Sequence, residues 1–295
     1  MHLANEFKIK DLGQVSLFLG VHIKRDNHQF TLSQAKYVER VLHRFQMSDC
    51  FPTKIPMQAN QSDVEKIPLD KSFPFREAVG CLNFIATISR PDIAFVVHLL
   101  SRNVNSPTQF HWSTLKQTLR YLKGTIENHL TIQKNETPVS ISAYVDADYG
   151  GDITSRKSCS GYLMYFGNNL ISWQSRLQPI VASSTMEAEY IALANAVHEV
   201  MWLKNLLSEI KFPSSAPATI YEDNQACIKF AEDPGRFHKR TKHIDIRYHL
   251  SRDAVKEGII RICYCPTTEM LADLLTKALP SPRFNNLVAS LSVHR

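Results

Sequence analysis

From Val139 onward the chain keeps one hydrophobic period for three segments and then changes it in a fixed order. VSISAYVDAD sets Val139, Ile141, Ala143 and Val145 against Ser140, Ser142 and Tyr144, the alternation of a half-buried strand. CSGYLMYFG and NNLISWQSR follow, separated by the turns GDITSRKS and GNN, which predicts an antiparallel three-strand meander. The period then lengthens to that of a helix over about Thr185–Ile210. After it come a strand (ATIYED), a helix (NQACIKFAE), a helix near HIDIRYHLSRDAVKEG, a strand (IIRICYC) and a helix from about Thr268. A meander followed by crossovers through helices predicts an α/β fold, a mixed five-stranded sheet with helices on both faces.

The first half reads as a smaller hairpin-plus-helical region. QVSLFLGVHIKR and QFTL flank the polar turn DNHQ, and Ser33 stands where it would cap the helix SQAKYVERVLHRF. Asp49–Ser72 is Pro-rich and aperiodic, a long loop. REAVGCLNFIATISR, PDIAFVVHLLSRN and about Pro107–Lys123 follow as three helices. The last places Trp112, Leu115, Leu119 and Leu122 on its core face and Lys116, Arg120 and Lys123 on the other, a stripe that solvation alone would explain. IENHLTIQKNETP, ending near Pro138, reads as a joint between two domains, 1–137 and 138–295.

Composition excludes more than it selects. No run of about 18 apolar residues is present, so no spanning helix is expected, and the N-terminal MHLANEFKIKDLG lacks a secretory apolar core. Six scattered cysteines with no C-x-x-C pair fit free thiols in a reducing intracellular compartment, cytoplasm and nucleus not being distinguished. The net charge of +6 permits a polyanionic partner, and RFHKRTKHIDIRYH gathers five Lys/Arg and three His into fourteen residues. Zinc would need ligand spacings this segment does not offer.

The acidic residues carry the chemistry. Asp146 lies in phase with its strand, at the end that enters a core. In STMEAEYIALANAVHEVMWLKNLLSEI the apolar stripe runs Leu193, Ala196, Val200, Leu203, Leu207, Ile210. At ~100° per residue, Glu189 lies within about 20° of that stripe's centre, and Glu187 points to the surface. Asp223 sits where ATIYED gives way to a helix, a position that N-capping alone would explain. Asp273 is an acid in an early turn of the last helix. Taken together, two strand ends and two helix starts bring carboxylates to one edge of one sheet. Like charges that close repel unless cations sit between them, and oxygen-only donors select hard ions such as Mg²⁺ or Mn²⁺.

Six blocks, YVDADYGGD, RKSCSGYLMYFG, ISWQSRLQPIVASSTMEAEYIAL, YEDNQACIKFAEDP, RTKHIDIRYH and YCPTTEMLADLLTKAL, resemble in order the ribonuclease H domain of copia-type retrotransposon Pol polyproteins. Upstream, DLGQVSLFLGVHI, LSQAKYV, REAVGCLNFIATISRPDIAF, LSRNVNSPTQFHW and LKQTLRYLKGT resemble the C-terminal, thumb/connection part of the same polyprotein's reverse transcriptase. The resemblance implies a ribonuclease H-like fold that hydrolyses the RNA strand of RNA–DNA hybrids with two divalent ions, Mg²⁺ or alternatively Mn²⁺. Asp146, Glu189, Asp223 and Asp273 match the family's catalytic, metal-binding positions, with Asp148 as a neighbour. Lys116, Arg120, Lys123, Arg240 and Lys242 become candidate contacts to the nucleic-acid backbone. The remainder of a reverse transcriptase is a further expected partner; no membrane is.

Two departures stand out. YCPTTEMLAD has no histidine where many cellular ribonucleases H carry one, and the polymerase's paired-aspartate motif is absent, so no DNA synthesis is expected of this chain. A second reading is a catalytically inactive transposon relic that at most binds nucleic acid. A third, a DNA strand-transfer enzyme of the same broad fold, would need the order Asp, Asp, Glu; here it is Asp, Glu, Asp, Asp.

Overall fold

The computed structural model describes residues 7–8, 10, 13–59, 67–134, 139–212, 214–232, 249–291 and 293–294. The chain opens with β1 (Leu17–Phe18), β2 (Val21–Arg25) and β3 (Gln29–Ser33). The β2–β3 turn is set by Asp26, whose Oδ1 accepts the backbone N–H groups of His28 and Gln29 at 2.8 and 2.9 Å. Helix α1 (Ala35–Arg44) follows; Gln34 rather than Ser33 is its boundary residue, and no side chain caps it. Then come α2 (Phe75–Ile88), a 3₁₀ turn at Pro91–Ile93 leading into α3 (Ala94–Arg102), and α4 (Gln109–Gly124), whose start is held by a reciprocal Thr108–His111 capping box.

The segment read as a domain joint contains a strand, β4 (His129–Gln133). Pro138, where that joint was expected to end, lies outside the described residues. The meander follows as β5 (Val139–Asp148), β6 (Cys159–Phe166) and β7 (Asn169–Leu177). Helix α5 (Thr185–Glu209) crosses over to β8 (Ser214–Glu222), and α6 (Gln225–Glu232) and α7 (His249–Lys256) precede β9 (Ile260–Tyr264). The last stretch is not the single helix expected from Thr268. Two 3₁₀ turns, Thr267–Glu269 and Leu271–Leu275, come first, and α8 (Ser281–Ala289) starts after Pro280, which cannot continue a helix begun before it. The two-residue β10 (Val293–His294) ends the described chain.

The second sheet has the order β7-β6-β5-β8-β9. β5, β6 and β7 pair antiparallel, and β8 and β9 join parallel to β5 and to each other. This is the mixed five-stranded sheet that the period changes predict. One face packs α5 through Val145, Leu193, Val197, Ile220 and Ile262. The opposite face rests on the first half of the chain, where Leu115 and Leu122 of α4 share one apolar cluster with Leu163, Leu170, Leu274 and Phe284. Trp173 Nε1 of β7 donates to the Ala86 carbonyl of α2 at 2.8 Å across that contact. The first sheet, β1-β2-β3-β4-β10, is closed by the far end of the chain: β10 pairs with β4, Val293 opposite Leu130.

Between the helices a charged triad is buried. Arg90 Nη2 lies 2.7 Å from Asp92 Oδ2, with both side chains at 2% exposure or less. Tyr121 donates its hydroxyl to Asp92 at 2.6 Å, and Arg90 also donates to the Thr125 carbonyl at 2.9 Å. Every strong donor and acceptor in the group is thereby used, which is what burying such charges requires.

His98 on α3 accepts the Leu177 backbone N–H of β7 at 3.0 Å. Burial first, then Arg102 and Arg176, with Asp152 opposing them, lower its pKa to about 4. It is therefore neutral in the fold, and the unfolded chain takes up the proton first as pH falls. Its stabilising contribution is complete above about pH 6.5 and lost on descending toward 4. A His98→Gln variant should show a shallower fall of melting temperature over that window than the parent; parallel curves would remove His98 from the account.

Candidate metal centre

Asp146 stands where β5 enters the core. It is 2% exposed and lies opposite Gly161 of β6. A Cβ at 161 would come within 2.7 Å of Leu275 Cβ. The missing side chain thus lets the turn carrying Asp273 close directly over the β5–β6 pair.

Helix α5 delivers Glu189. Its start is fixed by Ser184, whose Oγ accepts the Glu187 N–H at 3.2 Å, and by Glu187 reaching back to the Ser183 N–H at 2.6 Å. Glu187 is consequently buried, not on the surface as the helical stripe implied: a capping acid folds back over its own first turn instead of extending outward. Glu189, two residues on, faces the strand ends. At the end of β8, Asn224 takes the capping role that Asp223 could have filled, accepting the Cys227 N–H at 3.0 Å. Asp223 is left to the site, with the Thr267 hydroxyl donating to its Oδ2 at 2.7 Å.

Asp146, Glu189 and Asp223 each offer a carboxylate oxygen, and these atoms lie within 4.8 Å of one another. The fourth expected ligand, Asp273, is fully buried on the Leu271–Leu275 turn but does not belong to that triad. Its Oδ1 is 2.7 Å from Lys277 Nζ, and its Oδ2 accepts from Arg283. Lys277 Nζ also lies 3.5 Å from Asp146 Oδ2, which accepts the Thr276 hydroxyl as well.

A further acid, Glu222, was missed by the sequence reading. It is 0% exposed, and its Oε1 accepts the Asn224 N–H at 3.0 Å. The signal was present: Ala218, Ile220 and Glu222 share one strand phase, and the first two are core residues. Among the described residues, Glu189 Oε2 and Glu222 Oε2 are buried with no hydrogen-bond partner.

The electrostatics follow from this crowding. Burial raises Asp146 to about 6, against the attraction of Lys277, with Asp273 and Asp223 adding repulsion. Glu189 is raised well above the usual carboxylate range by burial and by Glu222, Asp146 and Asp223. Glu222 is raised likewise, chiefly by burial. Three oxygen donors at this separation, with an orphaned buried oxygen among them, fit a hard divalent cation, which would relieve both the repulsion and the missing partner.

The other candidate residues are dispersed. Asp148 is half-buried, with its carboxylate packed against Gly151 so closely that no Cβ fits there. Lys116 is exposed and Lys123 partly buried, while Arg120 donates to the Phe51 carbonyl at 2.6 Å and so ties a loop to α4. Arg240 and Lys242 lie outside the described residues. No helix among the described residues is long and apolar enough to cross a membrane.

Residues 1–59 match the family model described as reverse transcriptase (RNA-dependent DNA polymerase). Over 99% of its length the chain is 38% identical to the retrovirus-related Pol polyprotein of transposon TNT 1-94 from Nicotiana tabacum, covering 22% of that relative. An uncharacterized mitochondrial protein of Arabidopsis thaliana is 40% identical over 68% of the chain, which covers 83% of it. Among solved structures, LC11-RNase H1 in complex with an RNA/DNA hybrid aligns with a TM-score of 0.35 and 13% identity, over 46% of this chain and 94% of that one. The chain is a homologue of the retrovirus-related Pol polyproteins of plant transposons, and spans about a fifth of the length of those it matches.

Proposed function

We propose that this chain hydrolyses the RNA strand of RNA–DNA hybrids endonucleolytically, with Mg²⁺, or Mn²⁺ in its place, held by Asp146, Glu189 and Asp223. The observation that carries this is the convergence of those three carboxylates, from a strand end, a helix start and a second strand end, to within 4.8 Å. Similarity to Pol polyproteins over nearly all of this chain supports the hybrid as substrate. A divalent cation held there supplies Lewis-acid charge neutralisation at a phosphodiester.

The remaining work belongs to the chain's own groups. The Thr276 hydroxyl fixes the rotamer of Asp146, and the Thr267 hydroxyl fixes that of Asp223. Glu222 stands behind Glu189 and holds the Asn224 amide, keeping the β8–α6 corner in register with the site. Lys116 and Lys123 on α4, with Arg240 and Lys242, are proposed to hold the duplex through its phosphates, and the rest of a reverse transcriptase is proposed as the partner. Arg120 contributes by anchoring the Phe51 loop beside them.

The test is a purified chain incubated with an end-labelled hybrid. Cleavage of the RNA strand with Mg²⁺, abolished by a chelator and restored by added ion, is the expected result. Salt-sensitive binding without product at any Mg²⁺ or Mn²⁺ concentration would replace this reading with that of an inactive, nucleic-acid-binding relic.

A further inference from the structure

We infer that Lys277 supplies the second positive charge of this centre as a side chain, so that the chain holds one divalent ion where its family resemblance implies two. The inference rests on the proposed metal site and concerns how that site is populated.

The four expected ligands divide into two unlike ends. At one end Asp146, Glu189 and Asp223 face each other, and Glu189 Oε2 is buried without a hydrogen-bond partner among the described residues. At the other end Asp273 Oδ2 accepts from Arg283, and Oδ1, buried without a geometric hydrogen bond, forms an ion pair with Lys277 Nζ at 2.7 Å. A second ion would have to bridge Asp146 and Asp273. Lys277 Nζ bridges those two residues itself, at 3.5 and 2.7 Å.

The arrangement is built in from several sides. Lys277 follows Asp273 by four residues, and its stem is largely covered, the side chain being 32% exposed. Arg283 is anchored independently by donating to the Thr267 carbonyl at 2.7 Å, the same residue whose hydroxyl bonds Asp223. A divalent ion entering between Asp146 and Asp273 would meet an ammonium at contact distance and would have to displace it. At the triad the same ammonium is farther off, 3.5 Å from Asp146 Oδ2 against 2.7 Å from Asp273 Oδ1.

Mn²⁺ counting on the full chain tests this. The chain is saturated with a hybrid whose RNA strand is 2′-fluoro-substituted and resists cleavage, Mn²⁺ is titrated in, and the duplex-alone electron paramagnetic resonance spectrum is subtracted. Two ions about 4 Å apart, the spacing of two-metal sites, couple and broaden the spectrum, whereas a lone ion keeps six resolved lines. One uncoupled Mn²⁺ per chain is expected for the parent and for Lys277→Arg, and a coupled pair for Lys277→Met. A coupled pair in the parent overturns the inference and leaves the metal site standing. No chain-bound Mn²⁺ in the parent removes the site itself. Should Lys277→Met fail to fold, the parent and Lys277→Arg spectra still decide.

Discussion

Asp146→Asn and Glu189→Gln should each lower hybrid cleavage by on the order of 10³-fold or more, and should make the metal-free chain more stable, not less. The loss follows because each change removes one of three charged donors, and the charge neutralisation such an ion provides is worth several kcal/mol, each ~1.4 kcal/mol being tenfold. The gain in stability has the opposite origin. Asp146 is raised from 3.8 to about 6, burial leading, so the native chain holds a proton that the unfolded chain has released. Stability from this group is therefore present below about pH 3.8 and lost as pH rises through 6, costing on the order of 3 kcal/mol at pH 7 without metal. Melting in a chelator at pH 7 should rise by several degrees in Asp146→Asn. Added Mg²⁺ should then stabilise the parent and leave the variant nearly unmoved. Full cleavage by either variant, or a lower metal-free melting temperature, would contradict the assignment of these acids.

The second large effect lies away from the site. Asp92→Ala should cost about 3–5 kcal/mol of stability, because it strands a guanidinium in the core. Arg90 is 1% exposed, and its Nε and Nη2 both donate to Asp92, the latter at 2.7 Å. Tyr121 would lose its acceptor in the same step. Denaturant midpoints should fall sharply for Asp92→Ala and far less for a paired Arg90→Met, Asp92→Leu replacement, in which no buried charge remains. Equal losses in the two would mean the pair contributes through packing and not through charge balance.

Much of this was legible in advance because it depends on local period. Strand alternation carried β5 as far as Asp146, though in the phase of Ser140 and Ser142, and the stripe of α5 turned Glu189 toward the sheet. What escaped depends on side chains bonding to nearby backbone or on pairings far apart in sequence. Glu187 and Asn224 both act as caps, and helical phase carries no information about which of two adjacent polar residues folds back. Glu222 is readable from its phase with Ala218 and Ile220. Leu271, Leu274 and Leu275 keep the spacing of an α-helix while forming a tighter 3₁₀ turn, since three- and four-residue intervals fit both. The partnership of β10 with β4 joins residues 129–130 to 293–294, and two residues are too short to show any period.

That last pairing also governs how the chain can be cut. Severing it at residue 138 would leave the closing strand with no edge to zip onto, and would strip Leu163, Leu170 and Phe284 of the helices that now cover them. The C-terminal half is clasped by the half before it, much as a buckle needs its belt, so its fitness to stand alone would have to be restored by new polar surface on the bared face.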